Sequence, residues 1–128
     1  MPTTPVTPYV PQYITVHLGA PSAAAENVTV SFPEYVKNVA SSEIYPTWEP
    51  AAIEANILAI VSFALNRVYT EFYPSRGYDF DITSTTAYDQ KFIRGRNIFE
   101  NISRAVDETF NDYIRRTDFV EPLAAKFC

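Results

Sequence analysis

The chain has 128 residues, 47% of them hydrophobic, and a formal charge of −5. One globular domain is expected at this length, with enough apolar material to form a core without disulfide or metal staples. The acidic balance and the lack of a Lys/Arg run argue against nucleic acid and against an acidic membrane surface; the densest basic spots are Arg94, Arg96 and the Arg115-Arg116 pair.

Residues 1–12 hold Pro2, Pro5, Pro8 and Pro11, four of the ten prolines, and read as an extended Pro-rich arm ahead of a domain over 13–128. "YITVHLG" (13–19) and "NVTVSF" (27–32) alternate and are rich in β-branched residues, as strands are; "APSAAAE" between them is a loop. Ser31-Phe32-Pro33-Glu34 has the form of a capping box with proline in the first turn, and opens a helix over 32–43. "IYPTWEP" breaks it. A second helix over 48–73, with Thr47 as its cap, is apolar nearly all round through its middle and reads as the central buried helix, ended by Pro74 and Gly77. "YDFDITSTT" (78–86) reads as a strand or an extended segment facing a ligand, and "RGRN" (94–97) as a turn. Ile98, Phe99, Ile102, Val106, Phe110, Tyr113 and Ile114 give a third, amphipathic helix over 97–116, and "FVEPLAAKFC" (119–128) a last short strand. The class is α+β, with about three helices on a small, mostly antiparallel sheet.

No basic-then-apolar leader precedes residue 13, so no secretory signal is visible. "ILAIVSFAL" (57–65) falls well short of the roughly 20 residues that span a bilayer, so membrane insertion is not expected. Cys128 has no cysteine partner and His17 is the lone histidine, a poor set for zinc; neither metal nor cofactor is expected. Nineteen aromatic side chains, nine of them tyrosine, suit half-wet grooves of the kind that bind sugars.

"FPEYVKNVASSEIYPTWEPAAIEANILAIVSFAL" (32–65) resembles the opening of the SpoIID/LytB domain, in which a helix ends in a glutamate, a turn with an aromatic follows, and an Ala-rich helix begins. In that register Glu43 stands at the glutamate, Trp48 at the aromatic, Ala51-Ala52-Ile53 at the helix start, and Ala55, Ala59 and Ala64 along the small-residue face. "TAYDQKF" (86–92) looks like the family's Thr-Thr-x-Cys-Gln-x-Tyr segment, and "AVDET" (105–109) is a stretch common in the family. The resemblance implies cleavage of peptidoglycan glycan strands by a lytic transglycosylase, at the cell wall or spore envelope, with Glu43 as the catalytic acid. It also implies Tyr45, Trp48, Thr86 and Gln90 as substrate-binding candidates. Four of these five have a plainer alternative: Trp48 as a core anchor, Tyr45 as a half-buried surface ring, Gln90 as a polar strand residue, Glu43 as a solvated helix end.

Independently of the resemblance, Glu43 falls in line with Tyr35 and Val39 near a helix C-terminus. Burial there and the negative end of the helix dipole would both disfavour the charged carboxylate. A carboxyl kept partly protonated can protonate a leaving glycosidic oxygen, and its conjugate base can take the proton of the sugar's own 6-hydroxyl. Hydrolysis by two carboxylates would need Asp79, Asp81 or Asp89 nearby.

The sequence departs from the family pattern at four places. The family's arginine is Val61, its glutamine is Asn56, its cysteine is Asp89, and its Gly/His-rich and Ser-Gln-Trp-Gly segments do not follow before Cys128. The domain is therefore expected to be incomplete at its C-terminus, with an open sheet edge and an uncovered helix face that favour a homo-oligomer or a completing partner chain. A non-catalytic wall-binding module and a plain assembly domain stand beside the enzyme as alternatives.

Overall fold

The computed structural model describes residues 11–115. Residues 1–10 of the arm, Arg116, and the strand expected over 119–128 with Cys128 lie outside it. The described chain is α+β. Strands β1 (Tyr13–His17), β2 (Asn27–Ser31) and β3 (Ile82–Thr83) form one sheet in the order β2-β1-β3. Helices α1 (Phe32–Glu43), α2 (Pro50–Tyr69) and α3 (Glu100–Arg115) pack pairwise beside it.

β1 and β2 pair antiparallel, Tyr13 opposite Ser31 through His17 opposite Asn27. β3 pairs parallel to β1, Val16 opposite Ile82, so the sheet is mixed. Only two residues of the expected 78–86 strand are strand. On its flanks the Asp81 and Ser84 N–H groups still bond the Thr15 and His17 carbonyls, while Asp81 Oδ2 accepts the Thr15 N–H (2.8 Å) and Asp89 Oδ2 accepts the Thr83 N–H (2.9 Å). His17 fastens the β1–β2 loop, its ring nitrogens 2.6 Å from Asn27 Oδ1 and 2.9 Å from the Ala23 carbonyl, with Phe80 stacked on its face.

α1 has the bounds expected. Ser31 Oγ accepts the Glu34 N–H, and Pro33 sits in the first turn, where its missing N–H leaves no bond unmade. Phe32, Tyr35, Val36, Val39 and Ala40 recur at helical spacing and are fully buried. Each large apolar side chain of this set gains about 1.5–3 kcal/mol from leaving water. Phe32 meets Phe110 of α3 edge-on, and Tyr35 stacks on Phe92.

α2 differs from expectation in three ways. It starts later, capped by Glu49 without a side-chain bond rather than by Thr47, because Pro50 supplies the first helical position. It ends earlier, at Tyr69. Phe72 N–H bonds the Arg67 carbonyl and Glu71 N–H bonds the Val68 carbonyl, the paired bonds of a Schellman stop, with Glu71 at φ 51° in the left-handed position. And it is not buried all round. Ile53, Ile57, Ile60, Val61, Ala64 and Leu65 face the core, while Ala51, Ala55, Leu58 and Ala59 are exposed. By length and composition α2 could cross a membrane, with 39% of its most apolar window buried in the molecule; here it is the helix that packs on α1, α3 and β3.

A residue with a Cβ pays a steric cost in the left-handed region that glycine does not. Glu71→Gly is therefore expected to stabilise the fold by about 1 kcal/mol. Urea denaturation would register this as a higher midpoint with an unchanged slope.

α3 starts at Glu100, three residues after the expected Asn97; the expected turn falls at 93–96, and 97–99 run on outside the helix. The Arg96 N–H bonds the Ile93 carbonyl, with Gly95 at φ 77° in the position that demands glycine. Lys37 pairs with Asp107 across α1 and α3 at 3.0 Å.

Candidate functional site

The end of α1, the Tyr-Pro turn and the segment leading into α3 enclose a cavity of about 310 Å³. Its lining is Ser41, Ser42, Glu43, Ile44, Tyr45, Pro46, Arg96 and Phe99. Across Pro46 lies a second depression of about 590 Å³, with Trp48, Glu54, Asn101, Arg104 and Glu108 on its walls. Tyr45 and Trp48 meet edge-on at the divide, 5.9 Å between ring centroids, and are 68% and 39% exposed. Asn101 Nδ2 donates to the Pro46 carbonyl at 2.9 Å and ties this turn to α3. Two aromatic faces open to water beside two cavities offer stacking platforms for sugar rings.

Glu43 is the last residue of α1 and is exposed, so the burial expected of it is not found; its place at the helix end is. Its Oε2 accepts the Lys91 N–H at 2.9 Å. Its other oxygen has no partner among the described residues and is free for a ligand. Asn38, farther up α1, grips the same segment with both ends of its amide: Nδ2 donates to the Ile93 carbonyl and Oδ1 accepts the Ile93 N–H. These two residues fix the 91–93 segment against α1, and the Gly95 turn then sets Arg96 over the cavity. Arg96 donates from Nε to the Asn97 carbonyl (2.8 Å) and from Nη1 to Ser42 Oγ (3.3 Å), with Phe99 beside its guanidinium.

The structure brings Glu43 and Tyr45 into one cavity and Trp48 into the next. Thr86 and Gln90 line neither. Thr86 is exposed on the 85–88 turn. Gln90 is buried and fully engaged: Oε1 accepts the Tyr35 hydroxyl (2.8 Å) and Nε2 donates to the Ile60 carbonyl (3.2 Å). It ties α1 to α2 through these two bonds. Burial holds the Tyr35 phenol well above the ordinary tyrosine value, with the charges of Asp89 and Glu43 adding to the effect.

None of the three candidate second carboxylates reaches the cavity lining. Asp79 accepts from Asn27, Asp81 from the Thr15 backbone, and Asp89 is locked inside the protein. Asp89 Oδ1 pairs with Arg67 Nε at 2.7 Å, and Oδ2 takes the Tyr73 hydroxyl, the Thr83 N–H and the Thr83 hydroxyl. Burial first, and the bond and charge of Asp89 next, push the Tyr73 phenol up to about 12. Arg96 and Phe99 were not singled out from sequence. The sequence marks Arg96 as a basic spot in the R-G-R-N turn and Phe99 as a position on the third helix, and neither sign points toward Glu43.

Among the described residues no group of three or more His, Cys, Asp or Glu is placed to hold a metal ion.

The family model described as Stage II sporulation protein, SpoIID, matches residues 22–115. The chain belongs to the SpoIID family. The match spans every described element from β2 to α3 and so contains both cavities. Membership points to a cell-wall-related function in sporulation. The comparison with curated proteins finds no match, and neither does that with solved structures. Against the SpoIID pattern, Val61 is packed in the core at 2% exposure, where the family's arginine would stand, and Asn56 bonds back to the Ala52 carbonyl on the solvent side of α2. Neither joins a network with Glu43. Asp89 takes the cysteine position as a structural carboxylate.

Proposed function

We propose that this SpoIID domain cleaves peptidoglycan glycan strands as a lytic transglycosylase, with Glu43 as its single acid and base. The observation that carries the reading is the free oxygen of Glu43, the one carboxylate lining the cavity it shares with Tyr45 and Phe99; Glu54 and Glu108 line the depression beyond Pro46. The glycan lies across the Tyr45–Trp48 divide, so that sugars occupy both depressions. Glu43 protonates the glycosidic oxygen as the bond to the anomeric carbon breaks. The carboxylate so formed takes the proton of the same sugar's 6-hydroxyl as that oxygen closes on the anomeric carbon, giving an anhydro ring. No second carboxylate is needed to activate water, in keeping with the lining of the cavity. Glycan strands of the cell wall or spore envelope are then its substrate and partner. The exposed Ala51–Ala55–Leu58–Ala59 face of α2 supports a further expectation, that a second copy or a completing chain joins it.

A non-catalytic wall-binding module is the second reading. The exposure of Glu43 favours it, since a wet carboxylate loses the dry surroundings that strengthen an acid catalyst. Incubation with purified peptidoglycan, followed by mass analysis of the soluble products and of what pellets with the wall, separates the two. Anhydro-muramyl ends mark the enzyme. Pelleting without products marks the module and would overturn the enzymatic reading.

A further inference from the structure

Among the described residues Arg76, Lys91 and Arg96 have no carboxylate within 4.0 Å, and of these three only Arg96 lines the Glu43 cavity. Lys37, Arg67, Arg94 and Arg104 each lie within 4.0 Å of a carboxylate. Arg96, in a chain with 15 acidic and 10 basic side chains, has no acidic partner among the described residues. Yet it is not loose. The Gly95 turn sets its backbone, Asn97 and Ser42 accept from its Nε and Nη1, and Phe99 flanks the guanidinium at 5.5 Å. The rest of its donor edge is unused and belongs to the same cavity as Glu43. A guanidinium held in place with donors to spare is a preformed fork for a planar anion, which it can grip with two parallel bonds.

We propose that Arg96 binds a carboxylate of the saccharide and makes the Glu43 cavity selective for acidic sugars. The inference rests on the glycan reading for the identity of the ligand, and adds the group that fixes its register. The carboxylate has two sources on a muramyl glycan: the sugar's own lactyl acid, and the acids of an attached peptide. The two share their chemistry at Arg96. Because the grip is on a group remote from the broken bond, Arg96 is a positioning residue.

Binding, not turnover, tests this. The wild-type protein, Arg96→Gln and Arg96→Lys would be titrated by NMR with three probes: a muramic-acid disaccharide free of peptide, its methyl ester, and the same disaccharide carrying a peptide. Wild type is expected to bind the free acid roughly tenfold more tightly than the ester, the difference one charge-assisted bidentate contact makes. Arg96→Gln should bind acid and ester alike with an unchanged melting temperature. Arg96→Lys should keep a part of the preference, as a charge without the fork. A preference for the peptide-bearing ligand alone would assign the contact to the peptide acid. Equal binding of acid, ester and peptide-bearing ligand by wild type, or a preference that survives in Arg96→Gln, overturns the proposal even if the glycan is cleaved. A preference lost in Arg96→Gln upholds it even if no anhydro ends are ever formed. Failure of wild type to bind any of the three overturns this proposal and the glycan reading together.

Discussion

Replacing Asp89 by asparagine is expected to destabilise the domain by about 3–5 kcal/mol, the cost of breaking a buried ion pair from one side. The Asp89 side chain is fully buried and Arg67 is 18% exposed, so removing the carboxylate leaves a guanidinium with little water to turn to. The loss does not end there. Oδ2 gathers the Tyr73 hydroxyl and both the N–H and hydroxyl of Thr83, and an amide cannot accept at both ends. β3, α2 and the Pro74–Arg76 turn would all lose their common anchor. Urea denaturation of the variant checks the magnitude. A second readout isolates the charge. Tyr73 is held up to about 12 by burial, and next by its bond to Asp89 and by the charge of Asp89. In the variant, phenolate absorbance for Tyr73 should therefore appear at lower pH than in the wild type. The sign for stability follows. A phenol whose folded value exceeds the unfolded one, near 10, contributes fully below about pH 10, and the contribution is lost as pH climbs towards 12. Wild-type stability should fall over that window, and the fall should be shallower in Asp89→Asn.

Glu43→Gln is expected to lower the rate of glycan cleavage by about 10²–10⁴-fold, the range for loss of a general acid. Glutamine keeps the shape and its carbonyl oxygen can still accept the Lys91 N–H, so the 91–93 segment stays against α1. Stability should therefore change by no more than about 0.5 kcal/mol, as is usual for an exposed position. The separation of the two effects is what matters: chemistry lost, fold kept. The Asp89 variant should show the reverse order, with activity falling only as the protein unfolds.

Local chemistry made α1 legible to the residue. Ser31, Pro33 and the Tyr45-Pro46 break all act within a turn of the helix ends they define. The end of α2 was hidden because its stop uses Glu71 in a conformation where glycine is the usual sign. The start was misplaced because Thr47 is a good cap in isolation, while Pro50 sets the first helical position. The shortness of β3 could not be read, since Asp81 and Asp89 side chains take backbone N–H groups at its ends, and nothing in alternation reveals that. The apolar middle of α2 implied complete burial, but alanines are indifferent enough to water that half the helix circumference stays open.

The site divides in the same way. Glu43, Tyr45 and Trp48 lie within one turn region, and their sequence neighbourhood made them spatial neighbours. Gln90 stood as a substrate-binding candidate by resemblance, but its amide is taken up by Tyr35, 55 residues away, and by the Ile60 carbonyl. Asp89 stood in the sequence as a replaced cysteine and as one of three candidate second carboxylates; its partners Arg67, Tyr73 and Thr83 come together only in the folded chain. Arg96 shares the cavity with Glu43 because Asn38 and Glu43 hold a distant segment against α1, a contact that no periodicity encodes.

The measurement that bears most directly on Glu43 as a lone acid and base is digestion of purified glycan strands in water enriched in oxygen-18, with wild type and Glu43→Gln side by side. The expected products from the wild type are ends one water lighter than a reducing sugar, free of the label, because the ring is closed by the sugar's own oxygen. The variant should yield almost none. Labelled reducing ends from the wild type would mean that water is the nucleophile and a second base is at work, and equal yields from the variant would remove Glu43 from the reaction.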